Sequence, residues 1–129
     1  MHIEHVALWA TDLERLKDFY CTYFDGQANA RYNNPRRGFS SYFITFAAGA
    51  RLELMSLPAV PAPVPERAAD RLGWIHLAIA VGSQAAVDDL TQRLRAAGYL
   101  VLDGPRMTGD GYYESKVLDP EGNQIEITI

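Results

Sequence analysis

The amino-acid sequence predicts an α+β protein made of two consecutive β-α-β-β-β halves. Two observations lead to this prediction. A strand-like segment followed by an amphipathic helical segment opens the chain, and the same succession recurs in the second half of its 129 residues. Three further strand-like segments, bounded by turn residues, follow each helical segment. Such mixed patterning in a chain of this length is typical of an α+β fold.

The first helix is predicted over residues 11–24, in the segment TDLERLKDFYCTYF. Thr11 and Glu14 form a capping-box pattern at its start, and Gly26 follows its end. Its apolar residues lie on one helical face at i, i+3, i+7 and i+10: Leu13, Leu16, Tyr20 and Tyr23. This spacing predicts that one side of the helix packs against a sheet.

The second helix is predicted over residues 83–98, in the segment SQAAVDDLTQRLRAAG. Ser83 is a suitable N-cap, and Gly98 suits the left-handed position that ends many helices. The apolar residues repeat the spacing of the first helix: Val87, Leu90, Leu94 and Ala97. Matching helical registers in the two halves indicate an internal repeat.

Eight strands are predicted around these helices, from apolar runs bounded by turn residues. The strands of the first half span residues 2–10, 27–32, 41–48 and 50–57. Those of the second half span residues 73–81, 99–104, 112–119 and 123–129. The run Asp-Pro-Glu-Gly-Asn at 119–123 is a strong turn signal and predicts a hairpin between the last two strands.

The repeat divides the chain into a first module, residues 1–57, and a second module, residues 73–129, which together form one domain. Residues 58–72 are predicted to link them. Four prolines lie between Pro58 and Pro65. This composition suits an extended linker better than a core element.

Charge and composition favour a cytoplasmic protein with a small-molecule partner. The formal net charge is -4, and the densest basic cluster, PRRG at 35–38, is too short to predict a nucleic-acid surface. The single cysteine, Cys21, excludes an internal disulfide, which fits a reducing compartment. No apolar run approaches the roughly 18 residues of a membrane span. We therefore expect neither a nucleic acid nor a membrane as partner.

Two histidines and two glutamates occupy equivalent positions of the repeat. His5 and His76 lie in the first strand of each half, 71 residues apart. Glu53 and Glu126 lie in the last strand of each half, 73 residues apart. Two carboxylates balance the charge of a divalent cation, and two neutral imidazoles add nitrogen ligands. The pattern predicts a metal site that keeps a position for water or substrate, as catalytic sites do.

Each of these residues also has an ordinary structural explanation. A strand glutamate commonly faces solvent, and His5 lies near the N-terminus, where a surface position is usual. His76, within the apolar run GWIHLAIAV, suits a core histidine satisfied by one hydrogen bond. The occurrence of all four residues at equivalent positions favours the metal site over these separate explanations.

The chain resembles the vicinal oxygen chelate superfamily, which includes glyoxalase I, bleomycin-resistance proteins and extradiol dioxygenases. The resemblance spans essentially the whole chain and rests on the segments HVALWATDLERLKDFYCTYFDG, LELM, IHLAIAV and DPEGNQIEI. It implies paired βαβββ modules that form a cupped, barrel-like mixed sheet around a metal, with the helices outside.

The ligand types are most similar to those of glyoxalase I. The resemblance implies four metal ligands, in chain order His5, Glu53, His76 and Glu126. It also implies one divalent ion per site (Ni, Co, Zn or Mn) and proton transfer by Glu126, with Glu53 as a partner base. A homodimer is implied as well, in which the ligands meet within one chain or across two.

Two positions depart from bacterial glyoxalase I. Trp9 and Leu57 stand where that enzyme holds a glutathione carboxylate with polar side chains, which argues against glutathione bound in the same way. By alternation, Trp9 shares the face of His5 and is a candidate for lining the cavity or its rim. The stretch TGDGYYESK, residues 108–116, is a candidate lid or an ordinary loop. Other candidates for substrate contact, or else surface residues, are Arg51, Arg106, Tyr112, Tyr113, Glu114 and Lys116.

The predicted function is a metal-dependent, glyoxalase I-like lyase or isomerase. It would act on a small molecule with vicinal oxygens through an enediolate-type intermediate. The alternative is a binding protein of the bleomycin-resistance type, which sequesters a small molecule without catalysis. The metal separates the two, because the pure binders of the family lack it. Oxygenase chemistry is less favoured, since it would need Fe(II) and fewer carboxylate ligands.

Overall fold

The computed structural model describes residues 1–61 and 73–129. The chain forms two compact units, Met1–Pro63 and Val64–Ile129. Residues 62–72 of the predicted linker lie outside the described residues. The module boundaries at 57 and 73 therefore stay a prediction.

The first unit holds a five-stranded mixed sheet and one helix. Its elements in chain order are β1 (His5–Trp9), α1 (Leu13–Tyr23), β2 (Gln27–Ala28), β3 (Tyr32–Asn34), β4 (Phe39–Thr45) and β5 (Arg51–Ser56). The strand order is β1-β5-β4-β2, and β3 also pairs with β4. The pair β1 and β5 is parallel and the other pairs are antiparallel. The first and last strands of the unit are therefore neighbours.

One predicted strand, 27–32, is divided into two short strands, β2 and β3. Asn29 causes the division, because it bonds to Phe43 of β4 with both its backbone and its side chain. Its backbone N–H donates to the Phe43 carbonyl at 3.0 Å, and its side-chain oxygen accepts from the Phe43 N–H at 2.8 Å. The side chain replaces a backbone partner there, and the regular ladder stops.

Helix α1 forms within the predicted segment, but its cap differs from the prediction. The N-cap is Asp12, whose Oδ1 accepts from the Arg15 N–H at 3.0 Å. The predicted capping box of Thr11 and Glu14 is therefore wrong by one residue. Aspartate is as good an N-cap as threonine, so the sequence offered two adjacent candidates. The side chains buried along the helix are Leu13, Leu16, Phe19 and Tyr20.

The second unit holds a four-stranded mixed sheet and one helix. Its elements are β6 (His76–Ala80), α2 (Gln84–Ala96), β7 (Val101–Met107), β8 (Tyr113–Leu118) and β9 (Gln124–Thr128). The strand order is β6-β9-β8-β7, with β6 and β9 parallel. Ser83 caps α2 as predicted by accepting from the Ala86 N–H, and Gly98 follows the helix with φ +87°.

Each sheet buries one face beneath its own helix. In β5, Leu52 and Leu54 are 2% and 0% exposed, and in β9 both Ile125 and Ile127 are 0% exposed. Burial of each such side chain stabilises the fold by roughly 1.5–3 kcal/mol. Because side chains alternate along a strand, the residues between them project from the opposite face of the sheet. Glu53 and Glu126 occupy these intervening positions.

The described residues form an α+β fold, as the sequence predicts. None of the helices in residues 1–61 and 73–129 combines the length and apolar character needed to cross a bilayer.

Candidate functional site: a histidine–glutamate pair in each unit

The first pair, His5 and Glu53, is assembled by the parallel pairing of β1 with β5. In this register His5 lies opposite Arg51 and Ala7 lies opposite Glu53, so all four share one face. The distance from His5 Nε2 to Glu53 Oε2 is 3.8 Å. The His5 side chain is 41% exposed and that of Glu53 is 17% exposed. Both groups are thus close together and accessible.

Glu4 and Arg51 support His5 from the side away from Glu53. Glu4 Oε2 lies 2.5 Å from His5 Nδ1, and Arg51 Nε donates to Glu4 Oε1 at 2.7 Å. These two bonds, that from His5 first, lower the pKa of the Glu4 carboxyl below its usual range. The Arg51 guanidinium also lies 4.2 Å from the centre of the Phe43 ring, and that ring meets the His5 ring edge-on at 5.5 Å.

The second pair, His76 and Glu126, repeats this construction in the parallel strands β6 and β9. His76 lies opposite Gln124, and Ala78 lies opposite Glu126. The distance from His76 Nε2 to Glu126 Oε2 is 3.6 Å, with side-chain exposures of 30% and 15%. The two pairs thus have the same strand positions, the same interacting atoms and nearly the same separation.

A second carboxylate and a lysine lie beside Glu126. Lys116 Nζ is 3.8 Å from Glu126 Oε2 and 3.9 Å from Glu114 Oε1. Glu114 is only 7% exposed. Burial, and secondarily the charge of Glu126, raises the pKa of the Glu114 carboxyl above its usual value. The lysine is therefore the cation that offsets two close carboxylates.

A pocket opens on this face of the second unit. Its volume is about 580 Å³, within the range of small-molecule sites. The pair His76 and Glu126 forms part of its wall, together with Arg106, Thr108, Tyr112, Glu114 and Lys116. The Arg106 guanidinium is held by Asp103, with its Nε donating to Oδ2 at 2.7 Å. The pocket thus combines a histidine–glutamate pair with both acidic and basic side chains.

Three other residues were predicted to contact the substrate, and the structure places them in different environments. Tyr112 lines the pocket and is 58% exposed. Tyr113 projects from the other face, where its hydroxyl donates to Asp88 of α2 at 2.7 Å, so the structure does not bring it to the pocket. Trp9 is 44% exposed and lies edge-on to Phe39, with ring centres 6.5 Å apart.

The spacing and chemistry of each pair fit a shared metal ion. Two ligands that each lie about 2.1 Å from one ion are about 3–3.5 Å apart. The observed separations of 3.8 Å and 3.6 Å are close to this range but too long for hydrogen bonds. Each pair alone supplies two ligands, and no cluster of three or more metal-ligating side chains occurs among the described residues.

Glu4 was not singled out by the sequence. Along a regular strand, a residue next to His5 points to the opposite face. Glu4 precedes the first residue of β1, so its side chain is free of that alternation and reaches His5 Nδ1. One signal in the sequence could have indicated this contact: Glu4 is an acidic residue directly before His5, a candidate ligand at the start of a strand.

A family model described as Glyoxalase/Bleomycin resistance protein/Dioxygenase superfamily matches residues 2–127. The chain belongs to this superfamily. It is 31% identical to the uncharacterized protein PA2024 of Pseudomonas aeruginosa, over 98% of this chain and 86% of that protein. The match covers nearly all of both described units, and it confirms the resemblance drawn from the sequence.

Solved structures of the same superfamily share the fold. A glyoxylase/bleomycin resistance protein/dioxygenase domain from Frankia superposes with a TM-score of 0.82 at 19% identity, covering 100% of this chain and 97% of that domain. The trypanothione-dependent glyoxalase I of Leishmania major superposes with a TM-score of 0.77 at 20% identity, covering 99% of this chain and 86% of that enzyme. At these identities the likeness establishes the fold alone.

Proposed function

We propose that this chain is a metal-dependent, glyoxalase I-like lyase or isomerase. Its substrate would be a small molecule with vicinal oxygens. One observation carries the proposal: the histidine–glutamate pair, with its accessible face and metal-compatible spacing, occurs at equivalent positions in both units. A duplicated fold alone gives no reason for such polar pairs to recur, whereas a metal site that takes two ligands from each repeat explains their recurrence.

The proposed metal ligands are His5, Glu53, His76 and Glu126. Two imidazoles and two carboxylates form a neutral site with a divalent ion, and nickel, cobalt, zinc and manganese all accept this donor set. When bound, the ion supplies Lewis-acid stabilisation of negative charge on the substrate oxygens. The ligands would meet within one chain or across a homodimer.

The proposed base is Glu126. A carboxylate oxygen of Glu126 takes a proton from the carbon next to the substrate carbonyl, and the electron pair moves to the carbonyl oxygen to give an enediolate. The same oxygen then returns the proton to the carbon that bore the carbonyl, while the hydroxyl proton of the first carbon passes to the enediolate oxygen, so that the carbonyl moves to the first carbon. Lys116 Nζ lies 3.8 Å from Glu126 Oε2 and places a positive charge beside this carboxylate. Glu53 is the partner base.

Specificity would come from the open pocket of the second unit. Tyr112 and Thr108 offer aromatic and hydroxyl contacts near the histidine–glutamate pair. In the first unit, Arg51 is already held by Glu4 and Phe43, so it supports the site rather than the substrate. Trp9 and Leu57 in place of polar side chains favour a thiol adduct other than that of glutathione.

Ligand sequestration is the second candidate function. Exposed aromatic side chains on the sheet face that carries the first pair favour it. Trp9 packs edge-on to Phe39, and Tyr32 lies 6.2 Å from the same Phe39 ring. Trp9 and Tyr32 are 44% and 55% exposed. Such a surface suits an apolar or aromatic ligand.

The test is a substrate screen in deuterated water. The chain, loaded in turn with nickel, cobalt, zinc or manganese, is mixed with 2-oxoaldehyde adducts of several thiols. The proposal predicts isomerised product, in which solvent deuterium enters the new C–H bond only to the extent that the Glu126 carboxyl exchanges its proton with solvent before returning it. Turnover should be at least 100-fold slower for His5→Ala. His2→Ala is the matched control and should be fully active. Ligand binding without turnover, in all four metal forms, would favour sequestration instead.

A further inference from the structure

We infer that Glu4, held by Arg51, is a positioning residue that prepares His5 for metal binding. The inference rests on the proposed function in one respect, namely that His5 is a metal ligand. It assigns a role to a residue outside the four proposed ligands, and it distinguishes the first unit from the second.

The hydrogen bond from His5 to Glu4 determines which imidazole nitrogen carries the proton. A carboxylate only accepts, so the short contact between Glu4 Oε2 and His5 Nδ1, 2.5 Å, places the proton on Nδ1. In the neutral imidazole, Nε2 then keeps its lone pair, and this atom lies 3.8 Å from Glu53 Oε2. A lone pair directed at a carboxylate is unfavourable without a cation, and it is the arrangement that a metal ligand needs.

Both oxygens of Glu4 already have hydrogen-bond partners, so in this arrangement Glu4 supports His5. Oε2 accepts from His5, and Oε1 accepts from Arg51 Nε at 2.7 Å and from its terminal NH2 group. The Arg51 backbone N–H also donates to the Glu4 carbonyl at 3.0 Å. Arg51 therefore fixes both the backbone and the side chain of Glu4, and its charge offsets the carboxylate beside the site.

The described residues of the second unit, 73–129, do not provide this support. The residue before His76 is Ile75, which has no polar side-chain atom, and the residue paired with His76 is Gln124, where Arg51 is paired with His5. Among the hydrogen bonds of the described residues, none joins His76 Nδ1 to a carboxylate. The first pair is thus preorganised at its histidine, and within residues 73–129 the second pair has no equivalent contact.

The first readout is the tautomer of His5 in metal-free protein. The chain has three histidines, so nitrogen NMR over a range of pH, with single His→Ala variants, can assign each ring and report the tautomer of its neutral form. The inference predicts a proton on Nδ1 of His5 in the wild type and loss of this preference in Glu4→Ala. Ile75→Ala, the equivalent change in the second unit, should leave His5 unchanged.

The second readout is metal affinity, measured by competition with a chelator of known affinity. Loss of an outer hydrogen-bond partner of a ligating histidine typically weakens binding 10- to 100-fold. We expect this for Glu4→Ala, and a smaller loss for Arg51→Gln. Asp89→Asn removes one negative charge from an exposed position of α2 and controls for general electrostatic attraction; it should bind as the wild type does.

The outcomes separate the inference from the proposed function. Wild type that binds no ion contradicts the proposed function, while the tautomer measurement still reports on the Glu4 contact. Wild type that binds metal, with Glu4→Ala of equal affinity or with the same His5 tautomer, overturns the inference and leaves the proposed function standing. Circular dichroism and thermal unfolding of each variant confirm that the fold is retained.

Discussion

The two histidine–glutamate pairs have the same geometry but different surroundings. In the first unit, the supporting residues act on the histidine: Glu4 bonds to His5 and Arg51 bonds to Glu4. In the second unit, the neighbouring charged residues lie beside the glutamate: Lys116 and Glu114 are next to Glu126. The repeat has kept the pair and changed its neighbours.

The strand registers show where the change occurred. Phe43 is paired with Glu53, whereas Lys116 is paired with Glu126. An apolar ring beside one glutamate and an ammonium group beside the other give the two carboxylates different electrostatic environments. Under the proposed function this difference assigns unequal roles, in which the first pair would hold an ion and the second would also move a proton.

The largest expected effect separates the two glutamates. With metal at saturation, Glu126→Gln should lower kcat at least 100-fold, as loss of a general base does. Glu53→Gln should mainly weaken metal binding and lower kcat much less. Steady-state kinetics at saturating metal measure both. Equal losses of kcat would contradict the division of roles.

A transplant of the histidine support should produce the next largest effect. Ile75→Glu combined with Gln124→Arg places in the second unit the residues that Glu4 and Arg51 provide in the first. If this support preorganises a histidine, the double variant should bind metal about tenfold more tightly than the wild type. Ile75→Gln with Gln124→Arg is the matched control without the carboxylate. Unchanged affinity in both variants would argue against preorganisation by these positions.

Lys116→Met should destabilise the metal-free protein by about 1 kcal/mol at neutral pH, because two close carboxylates lose their shared cation. Lys116 is 31% exposed, so solvent limits the effect. Urea unfolding in the presence of a chelator measures it. Arg36→Met, in an exposed turn, serves as the control, and an equal loss in that variant would contradict the specific role of Lys116.

Glu114→Gln should have the smallest effect on stability, and the size of this effect depends on pH. The pKa of Glu114 is raised in the folded chain, so the folded state holds this proton after the unfolded chain has released it. The free energy of unfolding therefore falls as pH rises from the ordinary carboxyl pKa through the raised one. Glu114→Gln removes this fall. In metal-free urea unfolding, the variant should match the wild type near pH 4 and exceed its stability at pH 7.

Much of this organisation was predictable from the sequence. The helical periodicities, Ser83 as N-cap and the four ligand candidates depend on local spacing and on the internal repeat, both of which are visible in one chain. The sequence predicts that Glu53 and Glu126 project from the face of their strands that does not carry the buried Leu and Ile side chains, and the structure confirms this.

The remainder depended on long-range registers and strand ends. Tyr113 and Glu114 were grouped because they are adjacent, but alternation sends them to opposite faces, and only the pairing of β8 with β9 shows which one meets Glu126. Lys116 was only one of several candidate anion contacts, because its distance from Glu126 depends on the same register. The strand at 27–32 was split by a side-chain bond from Asn29 to a residue 14 positions later.

The most direct test of the central claim is the metal content of the purified chain. Wild type, His76→Ala and the control His2→Ala are expressed in metal-supplemented medium and examined by elemental analysis. We predict about one divalent ion per chain in wild type and in His2→Ala, and none in His76→Ala, because under the proposed function both pairs contribute ligands to one ion. Wild type that stays metal-free after exposure to nickel, cobalt, zinc and manganese would contradict the account.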